Sequence, residues 1–180
     1  MKTCASLAAI LAAACLFALF PQTTEAGKMD ALKISSPAFS HNGMIPSKHT
    51  CDGADVSPPL RIEGAPTEAK SLALIMDDPD APRGIWVHWV AWNIDPKTRG
   101  IPENGLPAGA VQGRNDFGTE RYGGPCPPSG THRYFFKLYA LDAPLSLARG
   151  ATKAQLESAM KGHILGQAEL VGLYKRSGGR

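Results

Sequence analysis

Residues 122–141 read YGGPCPPSGTHRYFFKLYAL, a loop crowded with proline and glycine that runs directly into alternating bulky side chains. Proline has no N–H to donate and glycine defines no conformation by itself, so residues 122–131 form neither a helix nor a central strand. From His132 the period becomes two: His132, Tyr134, Phe136 and Leu138 share one face, while Arg133 and Lys137 take the other. The stretch is therefore a shaped loop that delivers a strand, with His132 and Tyr134 together at the strand's entrance.

Two more segments read as strands. Ser71-Leu-Ala-Leu-Ile-Met76 is a short, nearly continuous apolar run, as expected of a strand buried on both faces. In Ile85-Trp-Val-His-Trp-Val-Ala-Trp-Asn-Ile94, period two puts Trp86, His88, Val90 and Trp92 on one face, which leaves His88 as the polar member of an apolar stripe. Thr152 and Gln155 have capping-box spacing ahead of Leu156, Ala159 and Met160, with Gly162 as a stop, so one helix is expected there. Ala168–Tyr174 can return as a strand. Proline and glycine punctuate the chain throughout, without repeats or low-complexity tracts, and the fold class expected is mostly β with one or two peripheral helices.

The N-terminus predicts a compartment. Lys2 precedes an apolar run from Ala5 to Phe20, followed by Pro21 and Thr24-Glu25-Ala26. A positive start, an apolar stretch short for a membrane span and small residues before the cleavage point make residues 1–26 a signal peptide and residues 27–180 a single domain, periplasmic or secreted. An uncleaved anchor and a lipid on Cys15 are the competing readings. Cleavage removes Lys2 and Glu25, one charge of each sign, so the net charge stays at +3. With no basic run, neither nucleic acid nor a membrane surface is expected as a partner, and the mature form has no integral membrane segment. Cys51 and Cys126 remain. In an exported chain they permit one disulfide, against which stand two separate buried thiols or a reactive or metal-binding pair.

Chemistry concentrates around three features: the acidic turn Asp77-Asp-Pro-Asp-Ala-Pro-Arg83, His88, and the Pro/Gly loop with His132 and Tyr134. Prolines stiffen the turn and can hold a carboxylate in a fixed direction. Histidine N–H groups, the Tyr134 hydroxyl and loop N–H groups would donate to phosphate or carboxylate oxygens, with Asp78 fixing a histidine tautomer. Such donors imply that anion affinity weakens as the imidazoles lose protons around neutrality. Asp78, Asp80, His88 and His132 are also acceptable metal-ligand types, but their spacing matches no metal motif. No G-x-S-x-G turn accompanies the histidines, and Cys126 sits between two prolines, so a nucleophile is not identifiable.

Asp78-Pro-Asp-Ala-Pro82, His88 and Gly124-Pro-Cys-Pro-Pro-Ser-Gly-Thr-His-Arg-Tyr134 together resemble the paired signatures of the phosphatidylethanolamine-binding protein family. Thr50-Cys-Asp-Gly53, Ser57-Pro-Pro-Leu60, Gln112-Gly-Arg-Asn-Asp-Phe-Gly118 and Glu169-Leu-Val-Gly172 resemble its bacterial Raf-kinase-inhibitor-like branch, and the likeness runs from about Leu32 to Tyr174. The resemblance implies a central antiparallel sheet packed with a smaller sheet and peripheral helices. It implies a pocket for phosphate or a phosphoethanolamine head group lined by Asp78, His88, His132 and Tyr134, with Gly124 and Pro125 shaping the wall and Asp80 nearby. Arg133, pointing away, is expected to pair with a carboxylate behind the pocket. An exported chain would not meet a cytosolic kinase of its own cell, so kinase inhibition does not transfer with the fold.

The expectation is an exported, non-enzymatic anion-binding protein that needs no cofactor and no metal, with a protein partner unspecified. A metal-assisted hydrolase using the same residues, and a protease or kinase inhibitor acting through a protein-binding surface, are the alternatives.

Overall fold

Alternating apolar segments dominate the architecture seen in the computed structural model, which describes residues 31–176. The expected signal peptide lies outside the described residues. The chain runs through strands β1 (Lys33–Ser35), β2 (Gly43–Met44), β3 (Leu60–Glu63), β4 (Ser71–Asp78), β5 (Trp86–Ile94), β6 (Gly100–Ile101), β7 (Val111–Gln112) and β8 (His132–Leu141), helix α1 (Lys153–Met160) and strand β9 (Ile164–Tyr174). A 3-10 turn covers Ser47–His49.

Six strands form the main sheet in the order β2-β9-β8-β4-β5-β7, and β1-β3-β6 form a second, smaller sheet. The pairings from β9 across to β7 are antiparallel, whereas β2 joins β9 in parallel at the edge. The central strand β4 is buried along its whole length, which explains its unbroken apolar sequence. Its alternate residues serve two cores. Leu72, Leu74 and Met76 join Ile34, Leu60 and Ile62 of the small sheet, together with Phe136 and Leu138 of β8. Ala73 and Ile75 join Val90, Trp92 and the α1 residues Leu156 and Met160 on the opposite face. Sandwiching the sheet in this way removes most of its apolar surface from water, at about 25 cal/mol per Å2.

Helix α1 begins as its sequence predicts. The Thr152 side chain accepts from the Gln155 amide, and the Gln155 side chain accepts from the Thr152 amide. It ends at Met160, and Gly162 follows with φ 85°. Among the described residues, no helix is long and apolar enough to cross a membrane.

One face assignment is corrected. Met76 of β4 pairs with Trp89 and Asp77 with Val87, so His88 is an extra residue in a β-bulge. A second irregularity lies at Asn93, whose φ is 54°. The bulge breaks the period of two: His88 keeps to the Tyr134 side while Val90 and Trp92 turn to the helix side. The expected common stripe of Trp86, His88, Val90 and Trp92 does not form.

Candidate functional site

The C-terminal end of β4 separates two neighbouring carboxylates. Successive strand residues face opposite sides, so Asp77 points to the helix side and Asp78 to the other. Asp77 pairs with Lys137, whose Nζ lies 2.9 Å from Oδ1, and with Lys153. Asp78 Oδ2 accepts from His132 Nδ1 at 2.7 Å, and its Oδ1 accepts from the Asp80 amide at 2.8 Å. The second bond closes the proline turn back on the strand, so the carboxylate that aims His132 also shapes the loop beside it.

His88 is held with equal definition. Its Nδ1 donates to the Gly123 carbonyl at 2.6 Å, and its ring meets Tyr134 and Phe117 edge-on at centroid distances of 5.2 and 5.4 Å. Burial pushes its pKa down, opposed by the Gly123 carbonyl and by the charge of Asp78, so the neutral imidazole is favoured. Accepting Nδ1–H bonds on Gly123 and Asp78 leaves Nε2 as the uncommitted ring nitrogen of both His88 and His132.

Asp78, His88 and His132 line one cavity of about 330 Å3. Its remaining wall comes from Ala81, Pro82, Arg83, Trp86, Phe117 and the run Cys126–Pro128. Three of the four residues expected to form the pocket are thereby brought together. Tyr134 is not among the lining residues: two positions further into β8 it is fully buried, covered by the His88 ring. Its hydroxyl lies against the Cys126 backbone without completing a hydrogen bond of normal geometry, and burial followed by the Asp78 charge pushes its pKa up.

The wall is also shifted along the loop. Gly124 and Pro125 do not line this cavity; Cys126, Pro127 and Pro128 do. Gly124 donates its amide to Asp55 Oδ1 at 2.7 Å and lines an adjoining hollow of about 150 Å3, while the Pro125 carbonyl accepts from the Cys51 amide at 3.1 Å. These residues anchor the loop from behind. A disulfide joins Cys51 and Cys126, Cα atoms 5.4 Å apart, and ties the wall to the loop after the 3-10 turn.

Asp80 has a bracing role rather than a place in the cavity. Its Oδ2 accepts from the Arg133 amide and Nε, both at 2.9 Å, and its Oδ1 accepts from Nη2 at 2.7 Å. The side-chain bonds from Arg133 hold its carboxyl down at about 2, against the opposing effect of desolvation. Arg133 thus finds the carboxylate partner its outward direction called for, and the pair pins the acidic turn to the entrance of β8.

Phe117, Trp86 and Arg83 are cavity residues that spacing did not single out as ligand contacts. The Asn115-Asp-Phe117 turn has a structural explanation: Asn115 bonds the His88 and Arg121 carbonyls and the Thr119 amide, and Asp116 Oδ2 accepts from the Val87 amide at 2.7 Å. The turn satisfies the bulged strand and presents Phe117 to the cavity, edge-on to both Trp86 and His88. Among the described residues, no group of three or more His, Cys, Asp or Glu side chains is placed to hold a metal ion. Asp78 consumes one nitrogen of His132, and Asp80 turns to Arg133.

Comparison with known proteins agrees with this fold. The sequence model of a family described as phosphatidylethanolamine-binding protein matches residues 35–175. A "UPF0098 protein" of Methanothermobacter thermautotrophicus is 57% identical over 150 residues, covering 81% of this chain and 99% of that one. A similarly named protein of Pyrococcus horikoshii is 53% identical over 154 residues, with 81% and 77% covered. The solved structure of CT736 from Chlamydia trachomatis, described as a phosphatidylethanolamine-binding protein homolog, superposes with TM-score 0.79 at 45% identity, covering 82% of this chain and 99% of that one. YbcL of Escherichia coli, described as a member of the mammalian PEBP family, gives 0.77 at 31%, covering 82% and 100%.

Proposed function

The chain belongs to the phosphatidylethanolamine-binding protein family, and from that premise we propose that it is an exported, non-catalytic protein that holds a small anion, phosphate or a phosphoethanolamine head group, in the cavity of Asp78, His88 and His132. The observation that carries this reading is the convergence of three buried polar side chains on one cavity of about 330 Å3, with both imidazoles fixed through Nδ1. Sites for small ligands combine apolar walls with a few rigidly placed polar groups, and this cavity falls at the small end of their usual range of roughly 300–1,000 Å3.

The two Nε2 atoms suit a ligand that can both give and accept hydrogen bonds. A neutral imidazole offers a lone pair there and a protonated one offers N–H. Hydrogen phosphate, with its P–OH and its charged oxygens, can meet either state, and phosphoethanolamine adds an ammonium group that donates to lone pairs and carboxylates. The aromatic edges of Trp86 and Phe117 and the proline wall exclude water around such a group, which strengthens each polar contact.

The non-catalytic part of the reading rests on what lines the cavity. No serine, threonine or free cysteine stands beside the histidines there, and Cys126 is engaged in the disulfide. The disulfide also favours export, since such bonds persist in oxidising compartments.

Thermal unfolding of the purified, chelator-treated protein, titrated with phosphate and with O-phosphoethanolamine, tests the proposal. A ligand that binds only the folded state adds about 2.7 kcal/mol at a hundredfold excess over its Kd. A ligand-dependent rise in Tm, lost in Asp78→Asn, is the expected result. No rise with either compound, or a Tm that depends on added zinc instead, would sink it.

A further inference from the structure

The charges around the cavity do not add up to an anion site without Arg83. Asp78 is a buried carboxylate, and any charge on His132 is met by it at 2.7 Å. His88 is held neutral by burial. Just outside, Asp80 and Arg133 cancel one another, their closest atoms 2.7 Å apart. Asp116, on the Val87 amide, and Asp55, on the Gly124 amide, are carboxylates without a cationic partner among the described residues. Arg121 belongs with Asp55 to the adjoining hollow, so within the cavity lining itself an entering phosphate meets the Asp78 carboxylate and two imidazoles already committed through Nδ1.

Arg83 is the exception. It lines the cavity, it is exposed, and it makes no ion pair or hydrogen bond among the described residues. Its backbone is nonetheless well placed: the Gly84 amide bonds the Ala81 carbonyl at 3.1 Å, which makes Pro82 and Arg83 the central residues of a tight turn. Gly84 then takes φ 99°, a conformation open to glycine, and lets the chain enter β5. The chain thus presents an uncommitted guanidinium on a proline-stiffened corner of the cavity that Pro127 and Pro128 also line. A guanidinium keeps its charge across the working pH range and matches two oxyanion oxygens with a planar fork.

We propose that Arg83 is the specificity-determining residue of the cavity, the side chain that gives it preference for a phosphate-type oxyanion, while His88, His132 and Asp78 supply orientation rather than net attraction. This rests on the anion-binding reading above and deepens it. Charge separates the roles: the imidazoles choose where a ligand's hydrogen atoms lie, and Arg83 decides its sign. A phosphomonoester or inorganic phosphate, with two charges and several free oxygens, gains more from the guanidinium than a phosphodiester with one charge.

The test is titration calorimetry at pH 7.5 of the wild type, Arg83→Gln and Arg83→Lys with inorganic phosphate, O-phosphoethanolamine and glycerophosphoethanolamine. Arg83→Gln is expected to weaken phosphate and O-phosphoethanolamine by about 10- to 100-fold, the size of one charge-assisted hydrogen-bonding interaction. Arg83→Lys should recover part of that loss, because charge returns without the fork. The diester, the form in which a lipid carries the head group, should lose less. Because Arg83 is exposed and unpaired, the variants should melt with the wild type when no ligand is present. Wild-type binding that Arg83→Gln leaves unchanged overturns the assignment of Arg83 but not the anion site. A wild type that binds none of the three compounds overturns both.

Discussion

Asp78 Oδ2 accepts a 2.7 Å hydrogen bond from His132 Nδ1, and both side chains are nearly removed from solvent. Breaking a buried pair from one side leaves the other partner uncompensated, which typically costs about 3–5 kcal/mol. His132→Ala is therefore expected to lose about 3 kcal/mol in urea denaturation. Asp78→Asn/His132→Ala should recover part of it, because the amide can still accept from the Asp80 amide without leaving a buried charge. A double variant no more stable than His132→Ala alone would show that the pair is not what sets the cost.

Acid should act on the fold through two groups in sequence. The His88 pKa is lowered in the folded state, so below the ordinary histidine value of about 6.5 the unfolded chain takes up a proton that the folded one refuses. Stability from this source is present above about pH 6.5 and declines as pH falls towards the depressed value. Asp80 adds a second decline, because its folded value of about 2 lies under the ordinary 3.8 and its stabilisation fades between them. Tm measured from pH 8 to pH 3 should show the first decline in the wild type and a diminished one in His88→Gln. The same lowering bears on ligand affinity: His88 is already neutral near pH 7, so the expected weakening of anion binding around neutrality cannot come from its discharge.

The disulfide closes a separation of 75 residues, for which the chain-entropy relation gives roughly 4 kcal/mol. Cys51→Ser/Cys126→Ser should lower stability by that order. It should also weaken phosphate binding by a few-fold, since Cys126 begins the cavity wall. Loss of stability with unchanged affinity would mean that the bonds from Gly124 to Asp55 and from Cys51 to Pro125 hold the wall unaided.

Gly124 supports the loop because a side chain cannot fit there. A Cβ at this position would lie 2.4 Å from Asp55 Oδ1 and 2.7 Å from the His49 carbonyl. Gly124→Ala is expected to cost about 1–3 kcal/mol by overpacking, read from chemical denaturation. The wild-type melting temperature retained in this variant would show that the loop can move aside.

Much of this was legible because the residues obey strong local rules. β8 spans His132–Leu141 as its alternation requires, and the capping box at Thr152 and Gln155 forms. β9 begins earlier than its apolar run suggests, at Ile164, because continuous pairing with β8 organises residues whose side chains are exposed. Strands β2, β6 and β7 are two residues each, too short to carry any period. The bulge at His88 was invisible because an extra residue leaves the composition of a strand unchanged while reversing its faces. In the site, Asp78, His88 and His132 were marked by residue type and rigid flanks. Tyr134 was drawn to the cavity by sharing a strand face with His132, Gly124 and Pro125 by the family resemblance, and Asp80 by its place in the acidic turn, and none of these says which atom fronts a void. Phe117 is placed by the Asn115 and Asp116 side-chain bonds, which connect it to β5 across about thirty residues and leave no spacing to read.

Asp80 separates bracing from binding most sharply. All three hydrogen bonds of its carboxylate come from Arg133, one of them from the amide next to His132, and Asp80 is not among the residues that line the cavity. Partly exposed ion pairs contribute little, about 0–1 kcal/mol, so Asp80→Asn should alter stability near pH 7 only slightly while removing the acid decline below about pH 4. Its phosphate Kd should stay within about threefold of wild type, because the Asp78–His132 bond and Arg83 are untouched. An Asp80→Asn protein that keeps its fold by circular dichroism yet loses phosphate binding tenfold or more would move Asp80 into the ligand shell. The rigidity of the acidic turn would then have to come from Pro79 and Pro82 and from the bond of Asp78 Oδ1 to the amide of residue 80.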